Sequence, residues 1–135
     1  KTLAQVVGVS PATVSNAYNR PDQLSAELRE RILSTAAELG YAGPDPAGRS
    51  LRVGRAEAVG VLLSERLSYA FSDPYAIEFL AGLSEVVEEC DVSIVLMPLS
   101  NATAVQQASI DALTIVSLPP DHPTVAAARR RGIPL

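Results

Sequence analysis

The chain has 135 residues, of which 47% are hydrophobic, and a formal net charge of −4 at pH 7. This composition excludes intrinsic disorder and allows one ordinary domain, or a small domain with part of a second. The one cysteine, Cys90, excludes an internal disulfide and a cysteine-rich metal site, and we expect its thiol to be buried. Because no apolar run approaches the ~18 residues of a membrane span, we expect a cytoplasmic protein that does not enter the membrane.

The charges are distributed unevenly along the chain. Residues 1–55 contain seven lysines and arginines against five acids, a net +2, whereas residues 56–135 contain four arginines against ten acids, a net −6. A basic segment on an acidic body is typical of a protein that meets nucleic acid through that segment. A net charge of only +2 predicts weak non-specific binding and a need for dimerisation.

The N-terminal residues predict two short helices joined by a tight turn. Thr2 caps a first helix over residues 3–7, and Gly8 allows the positive φ of the turn. Ser10 caps a second helix, which has Pro11 at its first position and extends to Asn19. Small polar side chains on its outer face suit close approach to phosphates and base edges, as in the recognition helix of a helix-turn-helix. The outward residues are Ala12, Thr13, Ser15, Asn16 and Asn19, and the inward ones are Val14 and Ala17.

A third helix and a linker follow. Ser25 caps the helix over residues 26–39 and Gly40 ends it, which completes a three-helix head. Residues 41–55 are rich in proline and glycine, yet long enough for two helical turns over 46–52. In the free protein we expect this linker to be a solvated, flexible tether.

From Ala58 onward, strand patterns alternate with helix patterns. The alternation predicts an α/β fold with a parallel sheet and right-handed crossovers. Because the sequence starts at Lys1 without an initiator methionine and stops at Leu135 in mid-pattern, we expect a piece of a longer protein. The predicted strands are 58–63, 92–98, 112–118 and the start of a fourth at 133–135, and the predicted helices are 74–90, 101–108 and 121–131. The inward face of helix 74–90 is predicted to be Ile77, Leu80, Ala81, Leu83, Val86 and Val87.

One combination of residues resembles the headpiece of the LacI/GalR family of bacterial transcription regulators: Thr13-Val14-Ser15, Asn19, Ser25, Gly40-Tyr41 and Arg49-Ser50-Leu51. The rest of the chain resembles the first half of that family's effector-binding core, which is similar to periplasmic sugar-binding proteins. The resemblance implies a helix-turn-helix headpiece at 1–41, a hinge at 42–57 and an incomplete N-terminal subdomain of the core at 58–135, with the second lobe absent.

The chain departs from the family pattern before the recognition helix. The family has a few more residues between the positions of Val6 and Gly8, enough for another helical turn. We expect residues to be missing from the sequence here, rather than a true deletion, because a one-turn helix would hardly brace the recognition helix. In the hinge, Gly48 stands where alanine is usual in the family, which weakens the helix.

The resemblance implies a set of DNA-binding residues. Pro11, Ala12 and Asn16 match base-reading positions, and an asparagine favours adenine. Arg49 and Leu51 belong to a hinge helix that forms on operator DNA, where the leucine enters the minor groove and bends the duplex. The alternative is that the polar residues of the head are merely helix surface. The positions that match phosphate contacts are Thr13, Ser15, Asn19 and Ser25.

A ligand site is expected at the carboxyl ends of the strands, where open α/β sheets bind small molecules. These ends are Ser64-Glu65, Ser100 and Ser117. The loop 67–75 is rich in aromatic residues and leads into a helix. We predict that Tyr69 and Phe71 stack on a sugar or base and that Asp73 accepts hydroxyl hydrogen bonds. The alternative is that these aromatic side chains only cover the sheet edge.

These observations predict a transcription regulator, most often a repressor in this family, that binds double-stranded operator DNA as a homodimer. Its effector is expected to be a sugar or a nucleoside. We predict no catalytic residue, no metal ligand and no cofactor, because His122 stands alone and no catalytic motif is visible. The alternatives are a sugar-binding transport-type protein, which leaves residues 1–55 unexplained, and a small α/β enzyme, which needs a catalytic constellation.

Overall fold

The computed structural model describes residues 2–101 and 103–135. The chain forms two compact units, of which the first ends at Val53 and the second begins at Gly54. The first unit is helical and the second contains the parallel sheet.

Three helices form the head of the first unit. Helix α1 spans Leu3–Val7, α2 spans Pro11–Asn19 and α3 spans Ala26–Glu38, with a 3-10 turn at Pro21–Gln23. The predicted caps are confirmed, because the hydroxyls of Thr2, Ser10 and Ser25 each accept a backbone N–H three residues further on. The small core between the helices consists of Leu3, Ala4, Val14, Ala17, Ile32 and Ala36.

Helix α1 packs against α2 and α3 although it has little more than one turn, so the expectation that so short a helix would hardly brace its neighbour was wrong; that residues are missing from the sequence near Gly8 stays a prediction. Leu3 and Ala4 are 7% and 8% exposed, and both belong to the core shared with α2 and α3. Gly8 has a φ of 78°, so the N–H groups of Gly8 and Val9 both donate to the Ala4 carbonyl, at 2.9 and 3.0 Å. The burial of Leu3 and Ala4 and the closed turn at Gly8 hold α1 in place.

The linker contains a helix rather than a flexible tether, so that expectation was also wrong. Helix α4 spans Pro46–Val53. The Asp45 carboxylate accepts the N–H of Ala47 at 3.0 Å and its carbonyl accepts the N–H of Arg49 at 3.0 Å, which supplies the N-terminal cap. Among the described residues of α4 none is buried, and Leu51 is 86% exposed.

Within the described residues, three parallel strands form one sheet in the order β2–β1–β3, as the alternating pattern predicted. Strand β1 spans Ala58–Leu63, β2 spans Ser93–Pro98 and β3 spans Ala112–Val116. The central strand is buried along most of its length because helices cover both of its faces. One face carries Leu62, Met97, Val105 and Leu113, and the other carries Val61, Leu63, Ala76 and Val116.

The helices of the second unit differ in detail from the prediction. Helix α5 at Leu67–Ala70 lies inside the segment expected to be a loop, α6 spans Pro74–Glu89 and α8 spans Pro123–Arg130 with His122 as its cap. Helix α7 spans Ala104–Gln107, and the predicted helix there includes Ala102, which lies outside the described residues. The end of the chain is not a strand, although the Pro134 carbonyl accepts the N–H of Leu113 at 2.9 Å.

Two predictions of burial in the second unit were wrong. Ile77 and Val86 of α6 are 48% and 58% exposed, and Ala81 is exposed as well. Helix α6 packs on the sheet through the neighbouring face, which carries Ala76, Leu80, Leu83 and Val87. Cys90 is exposed because it follows the end of this helix in a turn. No helix in the described part of the chain is long and apolar enough to cross a membrane.

Candidate nucleic-acid interface and ligand cleft

Helix α2 presents the polar face that the sequence predicted. Pro11 and Ala12 are exposed at its N-terminus, and Val14 and Ala17 are buried beneath it. Thr13, Ser15, Asn16 and Asn19 are half-buried, and Ser25 is exposed at the start of α3. The predicted DNA-facing residues of the head therefore stay accessible while the apolar side of the same helix packs into the core.

Several of these polar side chains are already positioned by hydrogen bonds within the head. The Asn19 Nδ2 donates to the Ser15 carbonyl at 3.1 Å and to the Ser15 Oγ at 3.2 Å. The Asn16 Nδ2 donates to the Gln23 Oε1 at 3.4 Å, which ties the predicted base reader to the 3-10 turn. In the cap of α3, the Ser25 oxygen accepts an N–H, so its own O–H keeps a proton to donate to a phosphate oxygen.

Helix α4 contacts α2 through an arginine that the sequence analysis did not single out. The Arg52 Nη1 donates to the Ser15 Oγ at 3.2 Å, and both residues are in the first unit. Arg49 lies one turn earlier on α4 and is half-buried. The i, i+3 spacing that puts two arginines on one helix face was the available signal.

An aromatic pair holds the segment before the hinge helix. The rings of Tyr18 and Tyr41 meet edge to face, with centroids 6.1 Å apart and planes at 70°. Gly43 has a φ of 105°, and a Cβ at this position would lie 3.5 Å from the Tyr18 ring. Burial, together with electrostatic repulsion from the neighbouring Tyr41 hydroxyl group, raises the pKa of the Tyr18 hydroxyl. Helix α2 therefore positions the linker as well as its own outer face.

A small cleft lies at the carboxyl ends of β1 and β3, where the ligand site was predicted. Its volume is about 40 Å³, against the roughly 300–1,000 Å³ of complete ligand pockets, so this unit supplies one wall of a site at most. Tyr69 of α5 and Asp73 line the cleft, but Phe71 does not and is 62% exposed. The other polar and aromatic residues of the cleft are Ser64, Glu65, Tyr75 and Ser117.

Asp73 has a structural role in addition to the predicted one. Its carboxylate oxygens accept the N–H groups of Tyr75 and Ala76, each at 3.4 Å, and so cap α6. Tyr75 lies in the predicted aromatic segment, is 62% exposed and lines the cleft, although no local pattern favours it over Phe71. Across the described ranges, no three His, Cys, Asp or Glu side chains cluster as metal ligands would.

Comparison with known proteins gives a family for the head and relatives for the whole chain. A family model described as "Bacterial regulatory proteins, lacI family" matches residues 1–43. The HTH-type transcriptional regulator IpsA of Corynebacterium glutamicum is 47% identical over 142 aligned positions, which cover 98% of this chain and 39% of IpsA. The HTH-type transcriptional regulator AglR of Rhizobium meliloti is 33% identical, with 99% of this chain and 39% of AglR covered.

Two solved structures are similar over nearly the whole chain. A LacI-family transcriptional regulator from Corynebacterium glutamicum has a TM-score of 0.50 and 39% identity, covering 98% of this chain and 37% of its own. The complex of the transcriptional regulator CelR with cellobiose has a TM-score of 0.52 over 98% of this chain and 40% of its own, and at 24% identity it shows the fold alone. The chain thus spans about two fifths of the length of these relatives.

Proposed function

Because this chain belongs to the LacI family of bacterial regulatory proteins, we propose that it is the DNA-binding end of a transcriptional repressor. A small-molecule effector changes the affinity of this repressor for a double-stranded operator. The observation that carries the proposal is the pair formed by a capped helix with an accessible polar face and a hinge helix with an 86% exposed leucine. Neither the polar face of α2 nor the Leu51 side chain belongs to the core of the first unit.

In this proposal the head reads the operator in the major groove. Pro11 and Ala12 carry no hydrogen-bonding side chain, so they contribute shape and contact with a thymine methyl group. Asn16 supplies the hydrogen bonds to a base edge and must release Gln23 to do so. Thr13, Ser15, Asn19 and Ser25 hold phosphates, and Arg49 and Leu51 act from the hinge helix in the minor groove.

A second copy of the chain completes the DNA-binding surface. A net charge of +2 over residues 1–55 gives weak binding by one subunit, and two such segments bind a pseudo-palindromic operator far more tightly. The exposed apolar positions Ile77 and Ala81, which lie one turn apart on one edge of α6, suit a subunit contact, because an exposed apolar patch on a helix is typical of an interaction site.

The effector binds at the carboxyl ends of β1 and β3 in this proposal. Tyr69 and Tyr75 offer aromatic faces to a sugar or nucleoside, and Asp73 and Glu65 offer acceptors for hydroxyl groups. Phe71 stands beside the cleft and is a weaker candidate than Tyr75. Binding shifts the population between DNA-competent and DNA-incompetent states of the hinge, because the effector favours one placement of the two hinges in the dimer.

The experiment uses the full-length protein and a duplex that it enriches from a random library. We expect Asn16→Ala to weaken binding to this duplex about tenfold or more, since a good side-chain contact with a base edge contributes ~1–3 kcal/mol of discrimination. Binding to random duplex should change little. Asn101→Ala, in the second unit, is the control and should leave both affinities unchanged. Equal losses on both duplexes would show that Asn16 does not read bases.

The effector is tested in the same gel-shift titration. Glucose, cellobiose and adenosine serve as probes of the sugar and nucleoside classes, cellobiose because CelR was solved with it. We expect a probe that binds to change operator affinity, and Tyr69→Ala to remove that change. A probe that binds the full-length protein without any effect on operator affinity would contradict the switch.

A further inference from the structure

An aspartate late in the chain holds the residues that follow the hinge helix. The two carboxylate oxygens of Asp111 accept the N–H groups of Ala56 and Glu57, each at 2.8 Å. The N–H of Asp111 in turn donates to the Ala58 carbonyl at 2.8 Å. These contacts, which we call the Asp111 clasp, join residues 56–58 to the residue that precedes β3.

The clasp is a charged contact. Hydrogen bonds to an ionised carboxylate are roughly twice as strong as neutral ones. The pKa of Asp111 is lowered chiefly by the N–H of Ala56, against the effect of partial burial, and further by Glu57, Ala58 and the charge of Arg55. Asp111 is therefore ionised at neutral pH, and removal of its charge weakens both bonds to the chain after the hinge.

The backbone at Glu57 is shaped to fit this contact. Glu57 has a φ of 56°, in the left-handed region that residues other than glycine seldom adopt. A left-handed residue lets successive N–H groups converge on one anion. The Glu57 carbonyl also accepts the N–H of Ser93 at 2.9 Å, so this residue is tied to the starts of both outer strands.

The clasp leaves very little chain between the sheet unit and the hinge helix. Helix α4 ends at Val53, and Gly54 and Arg55 are the two residues before the first clasped N–H. Gly54 has a φ of 72° and forms the turn after the helix. If the clasp opened, Ala56 and Glu57 would join this link and double its length.

We propose that Asp111 is a positioning residue for DNA binding, one that fixes the point at which the hinge leaves the sheet unit. The inference rests on the proposed function. A movement of the sheet edge is then transmitted to the hinge helix, because only two residues link them. A longer, flexible link would absorb the movement. Each residue that the clasp no longer orders must be ordered on DNA, at a cost of about tenfold in affinity.

The test is Asp111→Asn in the full-length protein, because the amide keeps one acceptor oxygen but puts an NH2 donor where the second N–H group needs an acceptor. We expect binding to the enriched duplex to weaken about tenfold if one residue is freed and about a hundredfold if both are. Amide exchange at Ala56 and Glu57 should become faster, and binding to random duplex should stay unchanged. Asp121→Asn makes the same charge change in the exposed loop after β3 and is the matched control.

A second variant covers the case in which Asp111→Asn does not fold. Two glycines inserted after Gly54 lengthen the link and leave every clasp residue in place. Doubling the link should weaken operator binding about threefold.

The outcomes separate this inference from the proposed function. Unchanged operator affinity with faster exchange at Ala56, or unchanged affinity in the insertion variant, overturns the role of Asp111 and leaves the DNA-binding proposal intact. If the wild-type protein enriches no duplex at all, the proposed function itself fails.

Discussion

At some positions of this chain, the size of the side chain is limited by how closely neighbouring atoms approach the backbone. Gly60 lies in the middle of β1, opposite Val95 of β2 and Leu113 of β3. A Cβ at this position would lie 2.6 Å from the Met97 Cε, 2.8 Å from the Ile110 Cδ1 and 2.9 Å from the Leu113 Cδ1. A larger residue here would therefore require the ends of three packed side chains to shift, whereas the backbone conformation places no demand for glycine.

We predict that Gly60→Ala lowers the free energy of unfolding by about 1–3 kcal/mol, because three side chains must shift in a packed core. Denaturant unfolding of the full-length protein measures this change. Gly82→Ala is the matched control. Gly82 is in the middle of α6 with open space around it, so alanine there should stabilise the helix by up to about 1 kcal/mol. A neutral Gly60→Ala would mean that the flexible ends of Met97 and Leu113 move at no cost.

At the scale of elements, α4 is the least supported helix of the first unit. It has eight residues, none of which is buried, and isolated helices of this length are marginal. Asp45 caps its start, the Ser50 hydroxyl donates to the Pro46 carbonyl, and Arg52 reaches Ser15. Because no described residue of α4 is buried, the stability of this helix depends strongly on intrinsic helix propensity, which Gly48 lowers.

We predict that Gly48→Ala strengthens operator binding by up to about fivefold, the equivalent of the ~1 kcal/mol that glycine costs in a helix. Space allows the substitution, since the new Cβ would lie 4.0 Å from the Asp45 Cβ. Ala47→Gly is the matched reverse change and should weaken binding. Gel-shift titration gives the affinities, and amide exchange over residues 47–53 gives the helix stability. If all three proteins bound equally, the hinge helix would have no role in affinity.

At the scale of the whole molecule, the exposed positions of α6 are the clearest surface for a second copy. Ile77 and Ala81 lie one turn apart on one edge of α6, next to Glu78 and Glu85, and the neighbouring face of the helix is packed on the sheet. Val86 lies on the opposite edge of the helix. Exposed apolar positions bordered by acids on a helix are typical of an interface rather than of a core.

We predict that the full-length protein is a dimer and that Ile77→Asp converts it to monomer, because a buried carboxylate without a partner is costly at a subunit contact. Sedimentation should show the change in mass, and operator affinity should fall about tenfold or more. Ile77→Val keeps an apolar side chain and should remain dimeric. Wild-type protein that sediments as a monomer at operator-binding concentrations would contradict this assignment.

Local patterns determined much of this structure. The helix caps at Ser10 and Ser25 could be predicted from sequence because capping depends on residues within one helical turn. The buried strand Ala58–Leu63 could be predicted because its apolar residues are consecutive. The family resemblance, carried by Thr13-Val14-Ser15 and the hinge residues, was also correct. The DNA-binding residues derived from it stay predictions, as do the effector residues derived from the strand ends and the aromatic loop.

Tertiary structure decided what adjacent residues leave open. Helical periodicity does not show which apolar residues of α6 pack in the core, so the sequence pattern wrongly placed Ile77 and Val86 inside. Likewise, no local pattern predicts that Cys90 is exposed. Tyr69 and Tyr75 line the cleft and Phe71 does not. The composition of this segment predicts only a loop, whereas the helix α5 that forms there determines which of its aromatic side chains face the cleft. The bonds from Arg52 to Ser15 and from Asp111 to Ala56 join residues 37 and 55 positions apart, and such pairs exist only once the chain has folded.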